Sequence, residues 1–133
     1  MAFMAIAIPI LPGKKAQCQE MSDKFKSGPI KSVLDASRRA AAVHERTFLQ
    51  ETPQGDLVIV TLETRDGGDP MAAFGKMMAD PTLKEFTAWV ADVHGVDPKG
   101  PPPAAPKLVY DRRGLNRALV HGCPTLPRKD PLI

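Results

Sequence analysis

The sequence predicts an α+β domain built around an antiparallel β-sheet. An apolar run at residues 2–10, closed by a Pro-Gly pair, has the composition of a strand buried on both faces. Two further strand-like runs, 43–51 and 57–64, flank a short segment of turn residues, which is typical of a β-hairpin. Segments whose apolar residues recur at helical spacing separate these strands, and this alternation favours the α+β class.

Length and charge predict one domain with an appendage. A chain of 133 residues with 43% apolar and 25% charged residues is typical of a globular protein. Residues 1–97 contain 11 Lys and Arg against 13 Asp and Glu, whereas residues 98–133 contain 7 against 2. We expect a weakly acidic folded domain over 1–97 and a basic, proline-rich C-terminal extension over 98–133. The acidic domain argues against a nucleic-acid-binding module, which presents a basic face with aromatic residues.

The N-terminal segment and the cysteines bear on where the protein works. The segment before Pro12 carries no basic residue and is far shorter than the ~20 apolar residues of a membrane helix. A buried strand is therefore expected there instead of a signal peptide. Cys18 and Cys123 provide neither a disulfide framework nor metal-ligand spacing. We expect reduced thiols, a cytoplasmic location and no membrane partner.

The hairpin turn is predicted from the sequence TPQGD at 52–56. Pro53 suits the first central position of a type I turn, and Gly55 suits a left-handed residue that follows it. A loop of this kind places Val60 opposite Phe48. Both faces of the resulting ribbon carry apolar residues, so both faces need to be covered.

Helices are predicted from start signals and apolar stripes. Pro29 is expected in the first turn of one helix. Asp69 and Asp80 each precede a proline, which is the signature of an N-cap followed by the first helical residue. The predicted helices cover residues 14–26, 29–41, a segment from Pro70, and 81–94. Gly95 is expected to end the last of them.

The order of these elements predicts a particular sheet. With residues 107–111, KLVYD, taken as a short edge strand, the order is β-α-α-β-β-α-α-β. With each helix pair counted as one split element it becomes β-α-β-β-α-β, the ferredoxin-like arrangement, whose helices cover one sheet face. The other face is expected to expose Leu49, Leu57 and Ile59. A second copy of the sheet is the expected cover, which makes the protein a homodimer.

Four sequence segments resemble the dimeric α+β-barrel superfamily. They are IAIPILPGK at 6–14, ERTFLQETPQGDLVIVTLE at 45–63, the Asp-Pro helix start at 69, and WVADVHGVD at 89–97. The resemblance covers residues 2–97, with 107–111 as the fourth strand. It is strongest to antibiotic-biosynthesis monooxygenase-like proteins, in a branch of small bacterial proteins without an assigned activity. It implies a dimeric α+β barrel and is specific for fold more than for activity.

The activities of the superfamily carry over only in part. Its members oxidise or cyclise quinol-like polyketides, degrade haem, or bind small molecules. The cofactor-free monooxygenases use an Asn and a Trp, but the single asparagine here is Asn116, in the extension. Trp89 and His94 match two residues of the haem-degrading branch, which also needs an Asn. The cyclase branch uses a His and a Tyr, and the single tyrosine is Tyr110. No cofactor is expected.

His44 and Arg46 are the candidate catalytic residues. The predicted register places them on the helix-facing side with Phe48 and Val60, at the rim of an apolar cleft. A His and a cation in such a position can bind an enolate or carboxylate and move a proton. The alternative is that both lie at the sheet edge in solvent, with Arg46 paired to an acidic neighbour, since structural ion pairs often imitate sites.

Trp89 and His94 are the candidate ligand-binding residues. The Trp89 ring lies on the apolar stripe of the last predicted helix and can line a pocket. Alternatively Trp89 belongs to the core, and His94 is a cation favoured at the helix C-terminus by the helix dipole. The histidines at 44, 94 and 121 lack metal-ligand spacing, so no metal site is expected.

These residues favour a small dimeric protein that binds or converts an apolar or aromatic ligand in a pocket between helices and sheet, without a cofactor. The alternative is a non-catalytic module for protein interaction or assembly, which uses the sheet face and the extension. The sequence contains no phosphate-binding loop, zinc-protease motif or serine-hydrolase motif. Whether the protein is an enzyme is therefore left open by the sequence.

Overall fold

The computed structural model describes residues 2–97, 99–101 and 104–112 of the chain. These residues form three strands, β1 (Ala2–Pro9), β2 (Val43–Thr52) and β3 (Gly55–Thr64), and four α-helices, α1 (Lys15–Lys24), α2 (Gly28–Ala40), α3 (Pro70–Met78) and α4 (Lys84–His94). A 3₁₀ turn at Pro81–Leu83 leads into α4. The predicted α+β class is confirmed. No described helix is long and apolar enough to cross a membrane.

The three strands form one antiparallel sheet in the order β1-β3-β2. β3 lies in the centre, with Val60 opposite Ile6 of β1 on one side and opposite Thr47 of β2 on the other. The chain leaves β1, passes through α1 and α2 and returns as β2, and the hairpin then inserts β3 between them. Within the described residues β1 and β2 are therefore both edge strands.

The helices cover one face of this sheet, and the core lies between the two layers. β3 alternates along its length, with Val58, Val60 and Leu62 buried toward the helices. Leu62 and Val93 of α4 keep no exposed surface. Burial of such side chains supplies the main stabilising free energy of a domain this small. The core cluster also includes Met4, Ile10, Cys18, Val43 and Met77.

The hairpin turn is tighter than predicted. Gly55 pairs with Thr52 as the first residue of β3, so only Pro53 and Gln54 lie outside the strands. Gly55 has a φ of +132°, a backbone conformation open to glycine. The chain reverses without the additional unpaired residue that a three-residue loop requires. The predicted pairing of Val60 with Phe48 is therefore wrong by one residue.

The shift of one residue turns β2 over relative to the prediction, because successive side chains of a strand point to opposite faces. His44, Arg46 and Phe48 lie on the open face of the sheet, where Phe48 is opposite Ile59. Their predicted position on the helix-facing side is wrong. Glu45 and its alternate neighbours take the helix-facing positions instead.

The open face of the sheet carries apolar side chains on all three strands. Phe3 is 60% exposed and Phe48 is 51% exposed, and Ile59 of the central strand lies on the same face. The prediction that the first strand is buried on both faces does not hold within a single chain, because its alternate residues are exposed. Leu49, which the sequence predicts on this face, lies on the helix side, because the pairing of β2 with β3 differs by one residue from the predicted pairing.

The predicted start of α3 at Asp69 is confirmed, whereas Asp80 caps the 3₁₀ turn and α4 itself begins at Lys84 instead of Pro81. Asp69 accepts a hydrogen bond from the Met71 amide at 3.0 Å, and Asp80 accepts one from the Thr82 amide at 2.9 Å. The hydroxyl and amide of Thr82 hold the pKa of the Asp80 carboxyl below its ordinary value, as expected for a carboxylate that caps a helical turn. Gly95 ends α4 in the left-handed conformation, with φ +68°.

Residues 107–111 form no strand, in contrast to the prediction. Leu108 is 77% exposed and Val109 is 90% exposed. The preceding segment is rich in proline, which lacks a backbone donor and favours extended backbone without a hydrogen-bonded neighbour. The described sheet thus lacks the fourth strand of the ferredoxin-like order. Asn116, His121 and Cys123 lie outside the described residues.

Leu62→Ala is expected to lower the free energy of unfolding by about 3 kcal/mol, because it opens a cavity at a side chain with no exposed surface. Urea unfolding followed by circular dichroism measures the change. Leu108→Ala is the matched control, since the same atoms are removed from a side chain that is 77% exposed, and its effect is expected within about 0.5 kcal/mol. Equal effects of the two substitutions would contradict the assignment of the core.

Candidate functional site

A cavity of about 770 Å³ lies between the helices and the covered face of the sheet. Alternate residues of β2 and β3, among them Thr47, Val58 and Val60, form its floor. All four helices contribute to its walls. The cavity therefore lies where the sequence analysis expects a pocket, and its size is in the range of sites for small organic molecules.

Three aromatic side chains form one wall of this cavity. Phe25, which follows α1, packs on both aromatic residues of α4, with ring centroids 5.4 Å from Phe86 and 5.3 Å from Trp89. The contact with Trp89 is edge-to-face, at 86°. Phe86 and Trp89 are three residues apart and so share one face of α4. We call Phe25, Phe86 and Trp89 the aromatic wall, and it offers an apolar surface to a ligand.

An ion pair lies at the junction of α2 and β2. Arg38 Nε donates a hydrogen bond to Glu45 Oε2, and the side chains are only 16% and 19% exposed. The connection between the two elements is short, and Ala42 turns the chain with a φ of +53°. The last turn of α2 therefore lies over the first residues of β2, which brings the guanidinium to the carboxylate.

Two donors at the cavity have no partner among the described residues. Arg38 Nη1 and Trp89 Nε1 are both buried and without a hydrogen bond. The Arg38 guanidinium carbon lies 5.4 Å from the centroid of the Phe86 ring, so the ring covers one face of the cation. A cation–π contact does not satisfy the N–H groups in the guanidinium plane. Buried donors without partners are uncommon in proteins and point to a missing acceptor.

His94 contributes a positioned imidazole to the cavity. Its Nδ1 lies 2.8 Å from the carbonyl oxygen of Pro9, and because a carbonyl only accepts, Nδ1 carries the proton. In the neutral ring Nε2 is then an acceptor. The imidazole also packs edge-to-face on Trp89, with centroids 6.1 Å apart. The hydrogen bond between His94 Nδ1 and the Pro9 carbonyl links the end of α4 to the end of β1 and fixes the orientation of the imidazole.

Cys18 is the one cysteine that the described residues contain, and it is buried at the cavity. Burial raises the pKa of its thiol above the ordinary value, because a thiolate would lose its solvation there. The hydrogen bond that Ser22 supplies acts in the opposite direction and does not outweigh burial. The thiol is therefore protonated near neutral pH and is a poor nucleophile.

The structure divides the predicted site residues into two groups. Trp89 and His94 both line the cavity. His44 and Arg46 lie on the open face of the sheet, and Arg46 pairs with Glu63 at 3.2 Å in a partly exposed contact. The alternative interpretation of Arg46, as one partner of a structural ion pair, matches this geometry.

Sequence reasoning missed Arg38 and Glu45. Arg38 follows Leu34 by four residues on α2 and so continues the apolar stripe, which is an unusual position for a cation and was the available signal. Glu45 carries no such signal, because its face depends on a register that differs from the predicted one by a single residue.

The described residues contain no cluster of three or more His, Cys, Asp or Glu side chains suited to hold a metal ion. No family model matches the chain, and comparisons with curated proteins and with solved structures return no significant match. The resemblance to the dimeric α+β-barrel superfamily therefore remains a prediction. The functional proposal therefore depends on the geometry of the cavity.

Glu45→Ala is expected to lower the free energy of unfolding by about 2 kcal/mol, because it leaves the Arg38 cation poorly solvated. This figure lies between the losses expected when a fully buried and a fully exposed ion pair are broken. Urea unfolding measures the change. Asp35→Ala is the matched control, since Asp35 pairs with Lys31 on the same helix but both side chains are more than 40% exposed. Its effect is expected to be much smaller than that of Glu45→Ala, because an exposed ion pair contributes little to stability. If both variants unfold alike, the ion pair has no special role.

Proposed function

We propose that the protein binds a small apolar or aromatic ligand in the cavity between the helices and the sheet, without a bound cofactor. The observation that carries this proposal is a cavity of about 770 Å³ with an aromatic wall and a lining that is apolar for the most part. Binding sites for small molecules combine this size, an apolar lining and a few oriented polar groups. Arg38, Glu45 and His94 are polar groups of the lining whose orientation is fixed by a hydrogen-bonded partner.

Binding is better supported than conversion. A reaction needs an acid, a base or a nucleophile within reach of the ligand. Neither His44 nor Arg46 lines the cavity, and the Cys18 thiol is protonated. The three carboxylates of the lining, Asp23, Asp35 and Glu45, are each paired with a cation, and the His94 imidazole is the further lining group with the character of a general base.

Ligand binding is testable through Trp89, the only tryptophan of the chain. The uncharged probe phenylbutyramide is expected to change the Trp89 emission in a saturable manner, because the ring belongs to the aromatic wall. Val90→Phe fills part of the cavity and is expected to weaken probe binding about tenfold or more. Ala72→Phe adds an aromatic ring at an exposed position of α3 and serves as the control.

The control variant is expected to bind the probe as the unmodified protein does. If Val90→Phe and Ala72→Phe both bind phenylbutyramide normally, the probe lies outside the cavity and the proposal fails. Saturable quenching that survives in both variants would therefore be evidence against the cavity as the site.

We also propose that the protein is a homodimer through the open sheet face, in a ferredoxin-like dimeric α+β barrel. The strand order β1-β3-β2 with antiparallel neighbours is compatible with the first three strands of that arrangement. The exposed Phe3 and Phe48 rings lie on the same uncovered face as Ile59. Exposed apolar patches of this kind mark interaction surfaces, and a second identical sheet has the matching shape.

Phe3→Lys is expected to convert a dimer into a monomer, because it places a charge in the proposed interface. Phe3 is 60% exposed and lies outside the core between sheet and helices, so the fold of the chain is expected to be retained. Sedimentation equilibrium measures the mass. Leu108→Lys, at a residue outside the sheet that is 77% exposed, is expected to leave the mass unchanged. A monomeric unmodified protein would refute the dimer.

A second candidate function is an assembly module that binds a protein partner. The exposed side chains of Leu108, Val109 and Tyr110 favour it, since they form a contiguous apolar segment that the described residues leave uncovered. The probe experiment separates the two candidates. An assembly module has no reason to bind phenylbutyramide in its interior, whereas a ligand-binding protein does.

A further inference from the structure

The charged side chains around the cavity fall into an outer and an inner group. Asp23 and Lys26 pair with each other and are each 74% exposed. Asp35 pairs with Lys31 and is exposed as well. The charged groups of the outer pairs are in contact with solvent and form ion pairs with each other. Arg38 and Glu45, at 16% and 19% exposure, are the charged pair of the interior.

The hydrogen-bonding balance of the inner pair is unequal. Glu45 accepts from Arg38 Nε with one oxygen and from the Thr47 hydroxyl, at 3.4 Å, with the other. A guanidinium has five donors in a planar fork. Arg38 Nη1 is buried without a partner among the described residues. Both oxygens of the Glu45 carboxylate therefore accept hydrogen bonds, whereas the Arg38 guanidinium has a donor without a partner among the described residues.

We infer that the ligand of this cavity carries an anionic group, a carboxylate or a chemical equivalent, which the Arg38 guanidinium binds. This inference rests on the proposed function and specifies the class of ligand. A guanidinium binds planar anions through parallel N–H donors. The Arg38 side chain lines the cavity and is 16% exposed, and its Nη1 has no hydrogen-bond partner among the described residues.

The aromatic wall defines the rest of the ligand. Phe86 lies beneath the guanidinium and also belongs to the wall, so an anion on Arg38 has an apolar surface directly beside it. Trp89 Nε1 is a second buried donor on the same wall, and it too has no partner in the part of the chain that the structure describes. The arrangement fits an aromatic or extended apolar acid whose body lies on the wall and whose carboxylate points to α2.

A cationic ligand fits the same wall less well. Aromatic side chains do bind cations, and the face of a ring is the part that attracts them. Here the Phe86 face is already covered by the Arg38 guanidinium. The Asp23, Asp35 and Glu45 carboxylates of the lining are each already paired with a cation. An ammonium group beside Phe86 would therefore approach the Arg38 cation of like charge, which disfavours its binding.

Three probes of nearly equal shape test the inference on the full-length protein. Phenylbutyrate, phenylbutyramide and phenylbutylamine differ in charge at one end, and the Trp89 emission and isothermal titration calorimetry report their binding. The acid is expected to bind about tenfold or more tightly than the amide, the gain of a charge-assisted hydrogen bond. The amine is expected to bind most weakly. Equal affinities for the acid and the amide, or preference for the amine, overturn the inference.

Two variants assign the preference to Arg38. Arg38→Gln is expected to remove the advantage of the acid over the amide while amide binding stays within about twofold. Arg39→Gln, at an exposed neighbour on the same helix, is the matched control and is expected to retain the preference. If Arg38→Gln retains the preference as well, the anion is bound elsewhere.

Glu45→Gln gives a test of opposite sign that does not depend on the stability of the Arg38 variant. It removes the carboxylate that competes for the guanidinium, so the acid is expected to bind more tightly than in the unmodified protein. A purely structural ion pair would give unchanged or weaker binding, which contradicts the inference. If the amide binds and the acid is not preferred, the inference of an anionic ligand is refuted but the proposal of a binding cavity stands. If none of the three probes binds, the proposed function is refuted as well.

Discussion

The turn at Pro53 and Gln54 is the constraint on which the rest of the structure depends. It contains two residues outside the strands, and this number fixes how β2 is paired with β3. One more residue in the loop would turn every side chain of β2 to the opposite face. Glu45 would then leave the cavity, and Arg38 would lose its partner. The charge at the centre of the proposed site is thus set by the length of a turn at the far end of the hairpin.

The cavity exists because its largest side chains line it and do not fill it. Leu62 and Val93 are fully buried beneath the helices, as expected for a packed core. The aromatic wall is only partly buried, although aromatic rings of this size usually dominate cores. A short chain contains few large apolar residues for its core. Aromatic rings that remain partly exposed at a cavity therefore contribute less to the stability of the domain than fully buried rings would. This cost is consistent with a surface retained for binding.

The sequence predicts those features that depend on neighbours along the chain. The Asp69 and Asp80 caps, the end of α4 at Gly95 and the strands of the hairpin all follow from local chemistry. Glu45 could not be placed, because polar and apolar residues alternate too irregularly along β2 to show which face is buried. Residues 107–111 have the composition of a strand, but a strand also needs a neighbour with free backbone groups, which composition does not supply. The site therefore lay beyond sequence reasoning wherever a long-range pairing decided it.

The cavity and the proposed dimer interface are opposite faces of one sheet, so the two are mechanically linked. By their register Phe48 lies on the open face and its neighbours Thr47 and Leu49 lie on the helix side, and all three residues belong to the part of β2 that borders the cavity. β2 is an edge strand with a hydrogen-bonded neighbour on one side only within the described residues. Edge strands open more easily than central ones. A second sheet packed on the open face would restrain β2 and hold Glu45 against Arg38, and in this way dimerisation would order the floor of the cavity before a ligand arrives.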